Sequence, residues 1–226
     1  MFKFLLLCLA LLPAFASAQE DSDWVEYRDA YRQMIWFEKY GKPKQFLQNH
    51  FRIRPRDKSV SMDGLRLTLN SKATHLALPL DALGRAVFPF SKAAYDDNAE
   101  LTVNRKAGQI KSGAWVSIVT RPDGVYAAAD LRTACDQLLA YLRYSGEAAG
   151  KSCAGVQLSY PKNDSSQVQF HAAGGAVTML AAKEGPAFTG DVVATFRVFV
   201  YRFAALPEAG QIVTSSTPLA IAALLE

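Results

Sequence analysis

The strongest constraint on the fold is a helical stretch that carries one cysteine and is followed by a second. Apolar residues recur at i, i+4, i+7 and i+11, which predicts an amphipathic α-helix over about 126–144. The stripe consists of Leu131, Cys135, Leu138 and Leu142. Cys153 opens an alternating apolar segment typical of a strand. In an oxidising compartment Cys135 and Cys153 would form a disulfide that ties helix to strand, and two buried free thiols are the alternative.

The start of the chain has the anatomy of a secretory signal peptide, residues 1–18. Lys3 precedes an apolar run at 4–12, and 16–18 supplies the small residues of a cleavage site. The run is too short to span a bilayer as a helix. We expect cleavage after Ala18, a periplasmic or secreted location, and no transmembrane segment in the mature chain. This location favours the disulfide, because such bonds persist in oxidising compartments.

Charge and motifs point away from several function classes. A net charge of +4 is too small to indicate nucleic-acid binding, and 50% hydrophobic residues can form a sizeable core. The sequence contains no Gly-x-Ser-x-Gly elbow, no His-Glu-x-x-His and no glycine loop for phosphates. No histidine has a second histidine or cysteine at metal-ligand spacing. We therefore expect no catalytic residue, cofactor or metal site, and the sequence leans away from an enzyme.

Outside the cysteine-bearing helix the pattern is mostly that of strands. An aromatic stripe predicts a first helix capped by Ser22 or Asp23, and Pro43 is expected to open a short second helix. From Phe51 onward the apolar period changes to two, which predicts short antiparallel strands separated by turns. In the first half these strands cover about 64–70, 75–80, 85–90, 100–105 and 115–120.

Short sequence matches indicate an internal duplication. The predicted fold class is α+β, with two repeats of one helix packed on a four- to five-stranded antiparallel meander. The repeats cover 19–120 and 121–226 and bury their free faces against each other as one body. Two small β-sandwich domains with a linking helix are the alternative. The matching segments, in the same order in both halves, are 64–69 with 155–160, 84–87 with 174–177, and 107–110 with 209–212.

A run of cations is the best candidate for ligand contact. Arg52, Arg54 and Arg56 are expected to share one face of a strand, with Lys58 beside them. Such a strip suits phosphate or carboxylate groups, so the expected partner is an anionic envelope polymer, a lipid head group or another envelope protein. The alternative is a solvated face that prevents an edge strand from pairing with neighbours.

Four segments of the second half carry a family resemblance. They are Arg-Pro-Asp-Gly-Val-Tyr at 121–126, Asp-Leu-Arg-Thr-Ala-Cys at 130–135, Gly-Lys-Ser-Cys-Ala-Gly-Val at 150–156 and Pro-Leu-Ala-Ile at 218–221. Together they resemble an uncharacterised family of exported bacterial proteins, a domain of unknown function. The resemblance implies export and a shared fold, and it brings no activity.

The expected function is a non-enzymatic binding or cell-envelope-associated module. Two alternatives stay open. One is a periplasmic hydrolase whose site is not visible as a motif. The other is a periplasmic chaperone or inhibitor that presents a sheet edge to another protein.

Overall fold

The computed structural model describes residues 22–206 and 209–226, and the predicted signal peptide lies outside them. Its elements are β1 (Ser22–Glu26), α1 (Tyr27–Lys39), β2 (Leu47–Pro55), β3 (Leu67–Asn70), β4 (His75–Leu78), β5 (Arg85–Ala86), α2 (Lys92–Asp96), β6 (Glu100–Lys106), β7 (Ile110–Ile118), β8 (Val125–Ala127), α3 (Ala128–Tyr144), β9 (Cys153–Tyr160), β10 (Val168–Ala172), β11 (Val177–Met179), β12 (Ala182–Gly185), β13 (Phe196–Arg202), β14 (Gly210–Thr214) and β15 (Ala220–Leu225). None of the described helices has the length and hydropathy of a membrane-spanning segment.

Three antiparallel sheets organise these elements, and the fold class is α+β as predicted. The central sheet has seven strands in the order β12-β13-β9-β15-β7-β2-β5, so it contains strands from both halves of the chain. Two four-stranded sheets have the orders β1-β6-β3-β4 and β8-β14-β10-β11. Strands adjacent in these sheets are mostly not adjacent in the chain, so the expected meander is wrong.

One face of the central sheet is apolar and carries the helices and both small sheets. The core there forms two clusters, each enclosed by one long helix, one four-stranded sheet and the central sheet. Burying a large apolar side chain contributes about 1.5–3 kcal/mol, so these clusters supply most of the driving force for folding. The largest fully buried side chains include Tyr27, Met34, Phe51 and Leu101 in the first cluster and Leu131, Tyr160, Phe170 and Tyr201 in the second.

The predicted disulfide is confirmed. Cys135 of α3 is bonded to Cys153 at the start of β9, and their Cα atoms are 6.0 Å apart. Cys135 is fully buried in the second cluster, as its place on the apolar stripe predicts. The helix itself begins at Ala128, because Val125–Ala127 pair with β14 as a short strand.

Two predictions for the start of the chain are wrong. Residues Ser22–Glu26 form β1, which pairs with β6, so the first helix begins only at Tyr27. The second helix expected from Pro43 is not formed, since Leu47–Pro55 pair with β7 at nine register positions as β2. Sheet pairing outweighs the local helix signals in both places.

The sequence matches between the halves fall on strands with different places in the fold. Segment 64–69 leads into β3 of a small sheet, whereas 155–160 lies in β9 of the central sheet. Segment 107–110 contains the turn into β7, whereas 209–212 leads into β14. The halves also meet edge to edge, through β7 and β15, and not through their sheet faces as expected.

Candidate anion-binding site

The face of the central sheet away from the helices carries charged side chains along β2 and a small apolar cluster that includes Phe188, Ala220 and Ala222. Residues two apart on a strand share a face, so β2 presents a row of polar side chains there. Register partners place side chains of β7 on the same face, with Arg54 opposite Lys111 and His50 opposite Trp115. The β2 row consists of Gln48, His50, Arg52 and Arg54.

Residues 186–195, between β12 and β13, cover part of this face and are called the strap. Gln157 Nε2 donates a hydrogen bond to the carbonyl oxygen of Pro186 at 2.8 Å. Ser159 Oγ donates to the carbonyl oxygen of Ala187 at 3.2 Å. Phe188 packs edge-on against Trp115, with ring centroids 5.2 Å apart. The strap is therefore tied to strands from both halves.

Arg52 anchors the strap through a buried ion pair. Its Nη1 and Nη2 atoms donate to the two carboxylate oxygens of Asp191 at 3.0 and 2.6 Å. Both side chains are only 6% exposed. Burial lowers the pKa of the Arg52 guanidinium, and the hydrogen bonds to Asp191 oppose that shift. Because a guanidinium keeps its proton at neutral pH, Arg52 is a cation whose charge is neutralised inside the protein.

Arg54, Arg56 and Lys111 have no carboxylate partner within 22–206 and 209–226. Arg85, which lies opposite Arg52 on β5, is paired with Asp81. The Cζ atom of Arg54 lies 4.5 Å from the ring centroid of Trp115, which fixes the guanidinium by cation–π contact. Lys111 lies directly opposite Arg54 in the β2–β7 register. Like charges at such positions repel, so this pair is unfavourable in the absence of an anion.

These cations line a cleft beside the strap. The cleft has a volume of about 110 Å³, and Arg52, Arg54, Arg56 and Lys111 form its basic side. Its other walls include Asp191, Val192, Val193 and Phe196. The cleft thus combines three unneutralised positive charges with apolar surface in a space suited to one compact group.

The structure divides the predicted basic strip into distinct parts. Arg54 and Arg56 face the cleft, whereas Arg52 also lines it but is buried and paired with Asp191. Lys58 is exposed in the turn after β2 and lies outside the cleft lining. Lys111 completes the site, and only the β2–β7 register brings it there. No local sequence signal could have identified Lys111.

Other chemistry at this face is limited. In the described part of the chain, no three His, Cys, Asp or Glu side chains come together as a metal site. Burial lowers the pKa of His50, whose Nδ1 atom is buried without a hydrogen-bond partner. The arrangement can therefore hold an anion by charge-assisted hydrogen bonds.

No family model, no curated protein and no solved structure matches this chain.

Proposed function

We propose that the chain is an exported, non-enzymatic binding module that holds a phosphate- or carboxylate-bearing ligand of the cell envelope in this cleft. The opposition of Arg54 and Lys111 without a carboxylate carries the proposal. An anion placed between two such cations removes their repulsion and accepts hydrogen bonds from both.

The dimensions of the cleft favour a compact head group. At about 110 Å³ it accommodates one anionic group more readily than a broad polymer surface. Trp115 holds the Arg54 guanidinium in place, so little side-chain entropy is lost when that planar fork binds oxyanions. Val192 and Val193 offer apolar contact for the part of the ligand next to the anionic group. A lipid phosphate and a terminal carboxylate share this chemistry.

Export is the second part of the proposal. The Cys135–Cys153 disulfide supports it, because structural disulfides are rare in reducing compartments. Cleavage after Ala18 and a periplasmic or secreted location belong to the same proposal, as does membership of the uncharacterised exported family. Intact-mass analysis with and without alkylation tests it. The mature product should begin at Gln19 and show no titratable thiol.

Binding is best tested with the full mature chain and two anionic probes, phosphatidylglycerol vesicles and polygalacturonate. Phosphatidylcholine vesicles are the uncharged comparison. Since hydrogen bonds to charged groups contribute about 1.5–3 kcal/mol each, the Arg54→Ala/Lys111→Ala variant should lose about tenfold or more in affinity. Added salt should weaken wild-type binding. Whichever probe binds more tightly identifies the source of the anionic group.

A matched control separates the cleft from overall charge. Arg66 and Lys72 are exposed and lie in no ion pair of the described chain. The Arg66→Ala/Lys72→Ala variant removes the same charge away from the cleft and should keep wild-type affinity. Equal losses in the two double variants, or undiminished binding by the Arg54→Ala/Lys111→Ala variant, would reject the site.

We also propose that the two halves descend from one duplicated unit. The support is that both small sheets have the same strand order, with β1, β6, β3 and β4 corresponding to β8, β14, β10 and β11. In each small sheet, one residue from every strand can be linked through register partners into a row across the sheet. The first residue of that row lies two positions before the start of α1 in one sheet and of α3 in the other. The first row consists of Val25, Leu101, Leu69 and Leu76 in sheet order. The second consists of Tyr126, Ile212, Phe170 and Thr178.

A superposition of 22–118 on 125–225 in a crystal structure tests the duplication. The two rows should coincide with α1 on α3. If the two rows are offset by one residue in the superposition, the core side chains of one sheet lie on the opposite face from those of the other, and this result would contradict a common origin.

A further inference from the structure

The central sheet is open at its middle. β7 pairs with β2 at nine register positions and β15 pairs with β9 at six, but β7 and β15 pair only at Ile118 and Ile221. Residues 114–117 of β7 and residues of β15 beyond Ile221 line a common cavity of about 340 Å³. We call it the split-sheet cavity. Small-molecule sites span about 300–1,000 Å³, so its size is that of a site for a small ligand.

The walls of the split-sheet cavity are mostly apolar. On the helix face it is lined by Leu138, Tyr141 and Leu142 of α3. On the opposite face it is lined by Trp115 and by Phe188 of the strap. Because pairing of β7 with β15 stops at Ile118 and Ile221, backbone groups beyond that position face the cavity in place of a neighbouring strand. The apolar side chains of these walls suit an alkyl chain, and the backbone groups that face the cavity lie along the two strand edges.

Polar side chains occur at two places in the lining, with Tyr141, Glu147 and Lys151 near α3 and with Ser117 and Thr189 on the strap side. Lys151 is exposed and lies in no ion pair of the described residues, and it is the one cation among the described lining residues. Glu147 accepts a hydrogen bond from Ser145 Oγ at 2.9 Å, which holds this carboxylate. Burial, followed by the charge of Glu147, raises the pKa of Tyr141 to about 12, so its hydroxyl remains a neutral donor. The polar side chains near α3 thus offer an ammonium and a phenol beside the Glu147 carboxylate.

We propose that the split-sheet cavity binds the alkyl chain of a small aliphatic monocarboxylate, whose carboxylate pairs with Lys151. The unpaired ammonium beside an apolar space favours this ligand over an uncharged one of the same length. The site shares no lining residue with the anion-binding cleft, although the Trp115 ring that lines it also contacts Arg54. It therefore stands or fails independently of the function proposed above.

Calorimetric titration of the disulfide-bonded mature chain with decanoate and decanol tests the proposal. We expect saturable one-to-one binding of decanoate. The Lys151→Gln variant should weaken decanoate binding about threefold to tenfold, as for one partly exposed charge pair, and should leave decanol binding unchanged. The Ala223→Leu variant places extra carbon atoms in the cavity and should weaken both ligands about tenfold or more.

Two controls make the result decisive. The Arg54→Ala/Lys111→Ala variant should bind decanoate like the wild type, and thermal melting shows whether Ala223→Leu still folds. If that variant is unfolded, the exposed Lys151→Gln variant decides alone. No saturable decanoate binding to the wild type, or binding that Lys151→Gln leaves unchanged, overturns the proposal. If the chain forms a dimer and decanoate and decanol prevent that dimer equally well, the cavity is the contact site of a second copy of the chain and the proposal is overturned.

Discussion

The two faces of the central sheet are stabilised by different means. The helix face is covered by two apolar clusters and carries the single disulfide of the described chain. The strap face has only a small apolar cluster, and a buried ion pair helps to hold its covering segment. Apolar burial is additive and tolerant of detail, whereas a buried charge requires a specific partner. The first face thus carries most of the apolar core, and the second carries the basic cleft.

Arg52 and Arg54 show this difference within one strand. They share a face of β2 and both lie against the ring of Trp115, at 4.6 and 4.5 Å. Arg52 meets Asp191, which neutralises it, but Arg54 meets Lys111 in the register. Their neighbours alone give one cation a structural role and leave the other without an ion pair in the described chain.

The largest predicted effect comes from breaking the buried ion pair. The Arg52→Ala variant leaves the Asp191 carboxylate buried without a partner, so the free energy of unfolding should fall by about 3–5 kcal/mol. Urea denaturation measures this. The Arg52→Ala/Asp191→Ala variant should recover part of the loss, because no unpaired charge remains. Strictly additive losses would show that the pair does not hold the strap.

A comparable test on the helix face removes the disulfide. The Cys135→Ala/Cys153→Ala variant should lose about 2–4 kcal/mol of unfolding free energy, since the unfolded chain is no longer constrained. Reduced wild-type protein is the control, because it keeps both sulfur atoms in the core. Anion affinity should stay unchanged in the variant. Unaltered stability would mean that α3 is held on β9 by apolar packing alone.

A smaller effect is expected from the ring that holds Arg54. The Trp115→Leu variant removes the cation–π contact but keeps an apolar side chain. A contact of this type contributes about 0.5–1 kcal/mol at a partly exposed site, so affinity for phosphatidylglycerol vesicles should fall about threefold. Trp115→Phe keeps an aromatic ring and should bind nearly as well as the wild type. Equal affinity of all three proteins would remove Trp115 from the site.

The smallest predicted effect is a loss of unfolding free energy at alkaline pH, caused by buried tyrosines on the helix face. Burial is the main cause that raises the pKa of Tyr141 to about 12 and the pKa of Tyr160 above its ordinary value. A raised pKa means that the folded state resists ionisation, so this stability is present below the ordinary value of 10.0 and is lost as the pH rises toward 12.

Unfolding by urea at about pH 9 and about pH 11 measures the alkaline effect. After allowance for solvent near the hydroxyl groups, the wild type should lose at most about 1 kcal/mol through Tyr141. The Tyr141→Phe variant should lose less, and Tyr144→Phe, at an exposed position, should behave like the wild type. An equal loss in all three proteins would exclude Tyr141 as a cause.

Sequence reasoning succeeded where a local pattern carries the physics. The α3 stripe predicted that Cys135 lies in the core, and the expected oxidising compartment favoured its bond to Cys153, which the structure confirms. It failed at Leu47 and Phe51, because these residues fit both a helical spacing of four and a strand spacing of two. The strand then wins through pairing with β7, which the sequence does not display.

The arrangement of charges on the strap face was beyond local reasoning for a related physical reason. Arg52 finds its partner 139 residues away, and no pattern near β2 distinguishes it from Arg54. Lys111 joins the site through strand register, and the strap is an irregular segment without a periodic signal. Charges on one strand are predictable, but the partners that neutralise them are set by the tertiary fold.

The most direct test of the account is NMR of the arginine Nε–H groups during titration with inorganic phosphate. Arg54 lies in the cleft without a carboxylate, whereas Arg52 is bonded to Asp191 and Leu83. The account predicts a saturable shift of the Arg54 signal and an unchanged Arg52 signal. A stationary Arg54 signal, or equal shifts of both, would contradict it.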